Sequence, residues 1–443
     1  MIEDITELTA KHTYGTWRAQ RGWKPMNVTK AEGVYFWEAS GKRFLDFSSQ
    51  LVCSNLGHQN QAIIDSICAQ AKKLAFISPA HTCDVRAELA VKLLEVMPKG
   101  LDKFFFATSG TEANEAAIKI ARLYTGKHKI ISRYTSYHGS TAGAVAATGD
   151  MRRWFIEPTG KIPGVIFAPE TNCYRCPLGQ TYPSCNTACA DYISYMIDHD
   201  ENVAAIIVEP IVGTNGVLVP PADYLPRLAA LAKKRGVLLI ADEVMTGWGR
   251  TGKWFCVDHW GVTPDILCTA KGITNAMMPL GVVATSRAIA DHFEDNYFAH
   301  GHTYEAHPMT LAPAIAAIDE YRRLDIMNRV NTLGPLLGQK LNALKDKHPC
   351  IGDVRGMGLF WAVELVKNRT TKEPFNTPQD KAKKLPLVID AVAGEMLKRG
   401  VTVLSWVSHL VIAPPLIITE EQLDEGIAAL DAALSIADAK VEG

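Results

Sequence analysis

Short apolar runs alternate with amphipathic segments between about residue 60 and residue 290. Runs such as VLLIADEV (237–244) are almost wholly apolar at their start, as is typical of strands that are buried on both faces. Segments such as TEANEAAIKIARLY (111–124) follow them and have the amphipathic character of surface helices. Strands that alternate with helices predict an α/β fold, in which helices cover both faces of a mainly parallel sheet.

The pattern changes from about residue 311. Two helical segments, LAPAIAAIDEYRRL (311–324) and LLGQKLNALKDK (336–347), precede two strand candidates and a final helix. That helix begins at a capping box formed by Thr419 and Gln422. We therefore expect three parts: an N-terminal segment (1–60) that packs with a small α+β domain (311–443), and a large α/β domain between them (61–310).

Composition and charge narrow the class of protein. The 443 residues are 47% hydrophobic and 21% charged, as in an ordinary globular protein. Lys and Arg number 46 against 47 for Asp and Glu, so the net charge of -1 offers no general attraction for nucleic acid or anionic lipid. No apolar run approaches the roughly 20 residues of a membrane-spanning helix, and the N-terminus lacks a signal-peptide core. We expect a cytoplasmic protein.

Ten cysteines in such a chain are expected to be free thiols, because the cytoplasm is reducing. Four of them cluster in CYRCPLGQTYPSCNTAC: Cys173, Cys176, Cys185 and Cys189. This spacing permits a tetrahedral thiolate zinc site, which would be structural because four thiolates leave no open coordination position. We favour reduced thiols in an irregular loop and predict no metal.

Polar and glycine-rich residues follow successive apolar runs. In a mainly parallel sheet, ligands bind at the carboxyl ends of the strands, where loops lead into the helices. We therefore expect five segments to converge on one cleft: TSGTE (108–112), YTSYHGS (134–140), VEP (208–210), ADEV (241–244) and TAKG (269–272).

Lys271 directly follows the apolar run DILCTA (265–270). Helix starts favour acids over cations, so a lysine at this position needs another reason than capping. A partly dry cleft disfavours the ammonium form, and the free amine can then form a Schiff base with an aldehyde. A solvated surface lysine is the alternative interpretation.

Asp242 ends a run that otherwise has the character of a buried strand. A buried carboxylate is costly unless it is paired, and a protonated pyridine nitrogen is a suitable partner. Pyridoxal phosphate would bring both an aldehyde for Lys271 and a ring nitrogen for Asp242. The carboxylate would keep that nitrogen protonated and the ring able to accept electrons. A structural or helix-capping carboxylate is the alternative.

Two other segments suit the same cofactor. Gly110 and Thr111 open a helix, so their backbone N–H groups and the Thr111 hydroxyl would face a phosphate at its positive end. Tyr137 and His138 stand beside a glycine, and an aromatic ring there could lie flat on the pyridine. Ordinary helix capping and an ordinary packed aromatic remain open as alternatives.

With these residues in place, the sequence resembles the class III aminotransferases, the pyridoxal-phosphate enzymes of fold type I that include ω-amino acid and amine transaminases. The resemblance spans nearly the whole chain and implies a seven-stranded-type, mainly parallel sheet. The motifs that carry it are AEGVYFWEASGKRFLDFSS, LGH, TSGTEANEAAIKIAR, YHGST, VEP, LLIADEVMTGWGRTGKWF, DILCTAKGITNAMMPLG, HGHTYEAHP and IAPPLIITEEQLDEG.

The resemblance also implies roles for individual residues. Lys271 would be the Schiff-base lysine and proton carrier, and Asp242 would pair with the pyridinium. Val244 and Tyr137 would lie near opposite faces of the ring, and Gly110 and Thr111 would bind the phosphate. Thr303 would reach the phosphate of a neighbouring subunit, which implies a homodimer or a dimer of dimers with shared active sites. Glu209 would gate the substrate or lie near the ring hydroxyl, unless it is a salt-bridged strand end.

The sequence departs from many relatives in two places that bear on substrate. Many relatives carry a carboxylate-binding arginine shortly before the PPL segment, whereas this chain has Leu404, Ser405 and Trp406 there. The acceptor must then be held otherwise, and we expect Trp406 to line the substrate pocket. Amine transaminases often have a pocket tryptophan where this chain has Val52. Trp23 and Trp248 are the aromatic alternatives, although each could equally belong to the core.

The cysteine-rich segment and SWVSHLVIAPPLIITEEQLDEG are most similar to the taurine aminotransferase branch. We therefore expect a ping-pong transaminase that moves an amino group from taurine or a similar ω-amino acid to pyruvate or 2-oxoglutarate. Arg250, Arg18 or Arg21 would bind the sulfonate, unless they are solvated surface arginines. The alternatives are a broad amine or β-amino acid:pyruvate transaminase, a racemase, decarboxylase or other lyase on the same scaffold, and a non-catalytic binding protein with this fold.

Overall fold

The structure is a computed structural model that describes residues 4–442. Residues 1–3 and 443, the two ends of the predicted three-part division, lie outside the described residues. The helices are α1 (Ile5–His12), α2 (Ser49–Val52), α3 (Gln61–Lys73), α4 (Asp84–Leu94), α5 (Gly110–Thr125), α6 (Ala142–Ala147), α7 (Ala188–His199), α8 (Tyr224–Arg235), α9 (Arg287–Asp295), α10 (Pro308–Arg323), α11 (Ile326–Lys347), α12 (Pro378–Ala382), α13 (Val388–Lys398) and α14 (Glu420–Asp438).

Sixteen strands accompany these helices in the described part of the chain. They are β1 (Val28–Glu32), β2 (Tyr35–Glu38), β3 (Arg43–Asp46), β4 (Leu101–Ala107), β5 (Lys129–Arg133), β6 (Val165–Ala168), β7 (Val203–Val208), β8 (Leu238–Asp242), β9 (Ile266–Thr269), β10 (Gly281–Ser286), β11 (Ile351–Met357), β12 (Phe360–Asn368), β13 (Glu373–Pro374), β14 (Val401–Thr402), β15 (Leu404–Trp406) and β16 (His409–Ile412). Short 3-10 turns cover Arg153–Phe155, Glu157–Thr159, Cys256–His259 and Lys271–Thr274.

The central element is a seven-stranded sheet with the order β4-β10-β9-β8-β7-β5-β6. Strand β10 pairs antiparallel with both of its neighbours, and the other pairs are parallel. Every residue of β7, β8 and β9 is buried, because helices pack on both faces of the sheet. The predicted α/β fold with a mainly parallel sheet is therefore confirmed.

Helix α5 follows β4 and packs on the sheet through a stripe of small and branched residues. Its buried positions include Ala113, Ala117, Ile120 and Ala121, which recur at the spacing of one helical face. Because these side chains are small, the helix axis lies close to the strands. The packing fixes where the first turn of α5 begins, at the carboxyl end of β4.

Two smaller sheets lie outside the central sheet. One joins the ends of the chain, because β14 pairs parallel with β3 through Val401 with Leu45 and Thr402 with Asp46. Its strand order is β1-β2-β3-β14. The other has the order β11-β12-β16-β15, with β13 paired to β12. The division into 1–60, 61–310 and 311–443 stays a prediction.

The long helices are α5, α10, α11 and α14. Among the described residues, none of the helices combines the length and the apolar character needed to cross a bilayer.

Candidate active site

A cavity of about 490 Å³ opens at the carboxyl ends of β4, β5, β7, β8 and β9. All five strand-end segments contribute side chains to it, so the structure brings together the groups that the sequence predicts to meet. The lining includes Gly110, Thr111, Tyr137, His138, Glu209, Asp242, Val244 and Lys271. Eight of the predicted site residues therefore share one cavity.

Asp242 is buried, with 4% of its surface exposed, and its carboxylate is held from two sides. Oδ2 accepts a hydrogen bond of 2.7 Å from the Asn114 amide and lies 2.7 Å from Nδ1 of His138. Oδ1 accepts from the backbone N–H of Val244 at 3.0 Å. These contacts fix the carboxylate at the edge of the cavity and offset the cost of burying it.

Glu243 points the other way, as expected for the residue after Asp242 in an extended segment. Its Oε1 accepts from the Val257 N–H at 2.7 Å, and its Oε2 accepts from the Thr246 hydroxyl. Burial raises the pKa of this carboxyl to about 7, and the hydrogen bonds oppose that rise. The second acid of the pair therefore shapes the 243–257 loop and does not enter the cavity.

Lys271 lies in a 3-10 turn at the carboxyl end of β9, and its side chain lines the cavity. Its φ is 52°, a left-handed conformation that is unfavourable for a residue with a side chain and is often found at functional sites. Burial lowers the pKa of its amine, although Cys53 and Asp242 oppose that change. The turn is held in place by the Tyr321 hydroxyl, which donates to the Gly272 carbonyl at 2.8 Å.

The first turn of α5 faces the same cavity. The Ser109 hydroxyl caps the helix by accepting from the Glu112 N–H at 3.3 Å, whereas the N–H groups of Gly110 and Thr111 precede any intrahelical acceptor. A Cβ at Gly110 would lie 2.8 Å from Cγ1 of Val244, so only glycine allows this close approach. Two free N–H groups at a positive helix end form an anion-binding site.

The Thr111 hydroxyl is engaged differently from the sequence prediction. It accepts from the backbone N–H groups of Ser140 and Thr141, at 2.9 Å and 3.1 Å, and contacts the Thr141 hydroxyl at 3.0 Å. Gly139 permits this because its φ is 132° and a Cβ there would lie 2.1 Å from the Thr111 Oγ1. The hydroxyl thus joins α5 to the 138–141 turn, and its predicted contact with a phosphate stays a prediction.

Glu209 organises another edge of the cavity. Its carboxylate accepts from the backbone N–H groups of Tyr137 at 3.0 Å and Gly213 at 2.7 Å. Burial raises the pKa of this carboxyl. No Lys, Arg or His in residues 4–442 forms a salt bridge with it, so the alternative of a salt-bridged strand end does not hold. Glu209 fixes the backbone of Tyr137, whose ring lies against the cavity.

Pyridoxal phosphate fits this arrangement by its donor set. The exposed N–H groups at the start of α5 suit a phosphate, and a glycine at position 110 leaves room beside Val244. A buried, oriented carboxylate at Asp242 suits a cationic ring nitrogen, and a lysine with a lowered amine pKa suits an aldehyde.

Several predicted substrate residues lie away from this cavity. Val52 is buried in an apolar cluster with Ile211 and Phe360, and its neighbours Leu51 and Cys53 line the cavity in its place. Trp23 is half-buried and packs on Gly15. The predictions that Val52 and Trp23 line the pocket are wrong, because the backbone turns at 49–53 and the N-terminal packing could not be anticipated from residue type.

The prediction that Arg250 binds the sulfonate of the substrate is wrong. It is fully buried, and its guanidinium donates four hydrogen bonds: to the carbonyls of Leu359 at 2.9 Å and Pro414 at 2.7 Å, to the Ser49 hydroxyl at 3.1 Å and to the Asn55 amide oxygen at 2.7 Å. Burial lowers its pKa to about 10. The arginine connects the N-terminal segment to the C-terminal part and is not available to a substrate. Trp248 is likewise fully buried.

The remaining predicted residues lie outside the active-site cavity, and two of them line a second cavity. Thr303 is exposed in the single chain and does not line the cavity, as a residue directed at another subunit would be. Trp406 and Arg18 line a second cavity together with Arg152, whose guanidinium carbon lies 3.8 Å from the Trp406 ring centre. Arg21 is exposed and lines neither cavity within the described part of the chain.

Two residues of the site were missed at the level of sequence. Asn114 lies on the buried face of α5, where a polar side chain needs a hydrogen-bond partner. A polar residue among the apolar ones of that face is the signal by which its contact with Asp242 could have been found. Arg152 is buried against Tyr137, with its guanidinium carbon 4.5 Å from the ring centre. The pair Arg152–Arg153 looks like an ordinary basic surface in the sequence, so its burial required the fold.

The four clustered cysteines surround a narrow cavity of about 20 Å³ beside Glu170 and Pro221. All ten cysteines are free thiols. Burial raises the pKa of Cys189 to about 11 and also raises that of Cys173, so their neutral thiol forms are favoured. Within residues 4–442, no group of three or more metal-ligating side chains is arranged to hold an ion.

Comparison with known families places this site in a family. The family model described as Aminotransferase class-III matches residues 18–434, which is nearly the whole chain. The chain belongs to the class III aminotransferases. It is a pyridoxal-phosphate-dependent transaminase, and its substrates are an amino donor and a keto acid.

Solved structures share the fold of this transaminase over its length. A taurine:2-oxoglutarate aminotransferase from Bifidobacterium kashiwanohense, in complex with PLP and glutamate, is 37% identical with a TM-score of 0.92, and the match covers 99% of this chain and 98% of that one. An (S)-enantioselective ω-transaminase from Thermomicrobium roseum is 35% identical with a TM-score of 0.90, covering 97% of each chain.

Curated relatives of the transaminase differ in activity. A leucine/methionine racemase from Thermococcus litoralis is 35% identical over 93% of this chain and 91% of its own length. A putrescine–pyruvate aminotransferase from Pseudomonas aeruginosa is 34% identical over 90% of this chain and 88% of its own length. These relatives therefore differ from one another in substrate and, in the case of the racemase, also in reaction.

Proposed function

We propose that this transaminase moves an amino group from taurine or a similar ω-amino acid to 2-oxoglutarate or pyruvate by a ping-pong mechanism. The observation that carries the proposal is the convergence of Lys271, Asp242 and the start of α5 on one cavity. The similarity to a taurine:2-oxoglutarate aminotransferase supports the choice of donor. So does the absence of an arginine from β14, β15 and β16, since the pocket then lacks a carboxylate clamp in this segment.

Lys271 is the proposed catalytic lysine. Pyridoxal phosphate, when bound, supplies an aldehyde that condenses with amines and a ring that accepts electrons from a substrate carbanion. Lys271 would hold the cofactor through its Nζ atom and, once released, carry the proton between donor carbon and cofactor. Its burial supports this role, because burial lowers the pKa of the amine and so favours the neutral form, which can accept a proton.

Asp242 is the proposed partner of the ring nitrogen. Asn114 and His138 both contact Oδ2 and the Val244 N–H contacts Oδ1, so the carboxylate cannot rotate freely. A fixed carboxylate in a buried cavity stabilises a neighbouring cationic nitrogen more strongly than it would in water. His138 acts here through Asp242 and is a positioning residue.

The phosphate would bind at the start of α5, to the N–H groups of Gly110 and Thr111. Val244 and Tyr137 would limit the movement of the ring from two sides, and Glu209 would position Tyr137 through its backbone N–H. The Thr111 side chain contributes indirectly, because it holds the 138–141 turn against the helix.

We also propose that two copies of the chain share their active sites. Thr303 is exposed, and its neighbour Tyr304 is 61% exposed, in a segment that the resemblance assigns to a partner's phosphate. Leu51, which lines the cavity, is 66% exposed, as a residue at a subunit boundary would be. The expected assembly is a homodimer.

A racemase is the second candidate, because a leucine/methionine racemase is 35% identical over most of the chain. The two activities need the same lysine and carboxylate but differ in stoichiometry. A racemase turns over one amino acid without a keto acid, whereas a transaminase consumes a keto acid for each amine. Incubation of the holoenzyme with L-leucine alone, followed by chiral chromatography, separates the two.

The direct test of the proposal is the absorption spectrum of the holoenzyme during two additions. Taurine alone should convert the bound cofactor to its pyridoxamine form, and 2-oxoglutarate or pyruvate should then restore the original spectrum. A cofactor that responds to other amines but not to taurine would contradict the proposed donor. A holoenzyme whose spectrum no amine changes would contradict the proposed reaction.

A further inference from the structure

A second cavity, of about 380 Å³, lies beside the candidate active site and carries a strong positive character. Four cations line it, Arg18, Arg152, Lys381 and Lys384, and none of the lining residues in the described chain is acidic. Its remaining walls are mainly apolar and aromatic, including Trp17 and Trp406. Low-dielectric walls with cations of one sign focus the field and attract a small anion.

Arg152 lies between the two cavities. Its guanidinium carbon is 4.5 Å from the centre of the Tyr137 ring, which lines the active-site cavity, and 3.8 Å from that of Trp406, which lines the second. A third ring, Trp17, lies 5.4 Å away. The side chain is 90% buried in this aromatic cage, so its charge is only weakly screened.

The hydrogen bonds of Arg152 are incomplete within the described chain. Asp150 accepts from Nη1, while Nε is buried and has no acceptor. Asp150 is itself held, because its Oδ2 accepts from the Asn215 amide at 3.2 Å and its Oδ1 accepts from the Arg152 backbone N–H at 2.8 Å. A guanidinium carries five N–H groups, and in the described chain that of Arg152 donates a side-chain hydrogen bond through Nη1 alone, so an anionic ligand in the adjoining cavity has further donors to bind.

The wall between the cavities is tied to the active site. Asn215 accepts from Nε1 of Trp406 at 2.9 Å and follows Thr214, which lines the active-site cavity. Lys381 approaches from the other side, with its Nζ 4.8 Å from the Trp406 ring centre. These contacts hold Trp406 and Arg152 in one arrangement that an incoming substrate would meet beside Tyr137.

We infer that Arg152 binds the anionic end of the substrate, the sulfonate or carboxylate of an ω-amino acid and a carboxylate of the keto acid, with Lys381 contributing from the rim of the cavity. The inference rests on the proposed function and names the group that determines its substrate class. It replaces the role that Arg250 cannot take, since Arg250 is fully buried and both of its terminal nitrogens donate to groups within the protein.

The test compares Arg152→Met with Arg153→Met in the holoenzyme. Arg153 is a matched control because it is equally buried, pairs with Glu157 and lines neither cavity. The first readout is calorimetric binding of isethionate, which carries the sulfonate of taurine but no amine and so cannot react. Loss of one charge-assisted hydrogen bond, worth about 1.5–3 kcal/mol, should weaken binding by about 10- to 150-fold in Arg152→Met.

The second readout is kcat/KM for taurine and for propylamine, which has no anionic group. Arg152→Met should lower kcat/KM for taurine by about 10- to 150-fold through KM, with less than about a threefold change for propylamine. Lys381→Met, at the rim, should weaken isethionate binding by up to about fivefold. Arg152→Lys replaces the methionine variant in both measurements if that variant does not fold. Because it keeps a cation, it should retain part of the affinity for isethionate.

Three outcomes would overturn the inference: no isethionate binding to the wild-type holoenzyme, equal losses for taurine and propylamine in Arg152→Met, or equal effects of Arg152→Met and Arg153→Met. The proposed function fails by a different result, namely an unchanged cofactor spectrum with taurine. If taurine does not react but another anionic amine does, kcat/KM for that amine and for propylamine is compared in the same variants. An equal loss for both amines in Arg152→Met then overturns the inference.

Discussion

Replacing Glu243 with glutamine removes a fully buried carboxyl that lies directly after the candidate catalytic Asp242. The amide keeps an oxygen for the Val257 N–H and a polar group for the Thr246 hydroxyl, so the 243–257 loop should keep its shape. What changes is the titration of the site. The variant therefore isolates the free energy of burying the charged form.

The size follows from the pKa, which burial raises from 4.5 to about 7 in the folded protein. Because the folded state holds its proton more tightly than the unfolded state, the stability from this group is full below pH 4.5 and is lost as the pH rises through about 7. The loss is about 1 kcal/mol by pH 5.5 and about 3 kcal/mol by pH 8.5. Glu243→Gln should escape it, and should gain about 2 kcal/mol over wild type between these two pH values.

The assay is urea unfolding at pH 5.5 and pH 8.5 with equal protein and cofactor concentrations, followed by far-UV circular dichroism and tryptophan fluorescence. Coincident transitions from the two probes establish that one free energy of unfolding applies. Glu201→Gln, which removes an exposed carboxyl, is the control for loss of charge alone. A difference in the free energy of unfolding between Glu243→Gln and wild type that stays constant between the two pH values would show that burial does not raise the pKa of this carboxyl.

Three further predictions concern the site and its supports. Asp242→Asn should retain the cofactor but lower kcat by about 100- to 1000-fold, because a neutral amide cannot stabilise a cationic ring nitrogen. Stopped-flow measurement of the half-reactions tests this, and an unchanged rate would contradict the role of Asp242. Gly110→Ala places a Cβ 2.8 Å from Val244, so the dissociation constant of pyridoxal phosphate should rise by about 5- to 150-fold. Titration of the apoenzyme with the cofactor measures this constant, and unaltered binding would exclude a phosphate site at the start of α5. Arg250→Met removes four hydrogen bonds and should lower the free energy of unfolding by about 3–5 kcal/mol. KM for taurine should not change, and a rise in KM without a loss of stability would show that Arg250 binds the substrate.

The sequence anticipated the central sheet because its strands are buried on both faces and are therefore continuous apolar runs. It also anticipated the cleft, since strand ends of a parallel sheet meet at one edge. Strand β6 was missed: VIFA has four residues, follows Pro163 and Gly164, and keeps three positions half-buried. A run this short has no recognisable period.

Contacts between distant parts of the chain explain the errors at the site. Arg250 was assigned to substrate by residue type, but its acceptors stand at positions 49, 55, 359 and 414, and only the fold brings them together. The contact of the Thr111 hydroxyl with a phosphate stays a prediction, and the close approach of the 138–141 turn at Gly139 gives it other partners. The assignment of Trp406 to the substrate pocket stays a prediction, and its contact with Arg152 could be found only in the structure.

Lys271 is proposed to hold the cofactor in the cavity formed by Asp242 and the start of α5. Borohydride reduction of the holoenzyme makes the bond between the cofactor and its lysine permanent, and proteolysis with mass spectrometry then locates it. We predict a phosphopyridoxyl group on the peptide that contains Lys271, and its absence when taurine is added before reduction. Modification of another lysine in the untreated holoenzyme would show that Lys271 does not hold the cofactor.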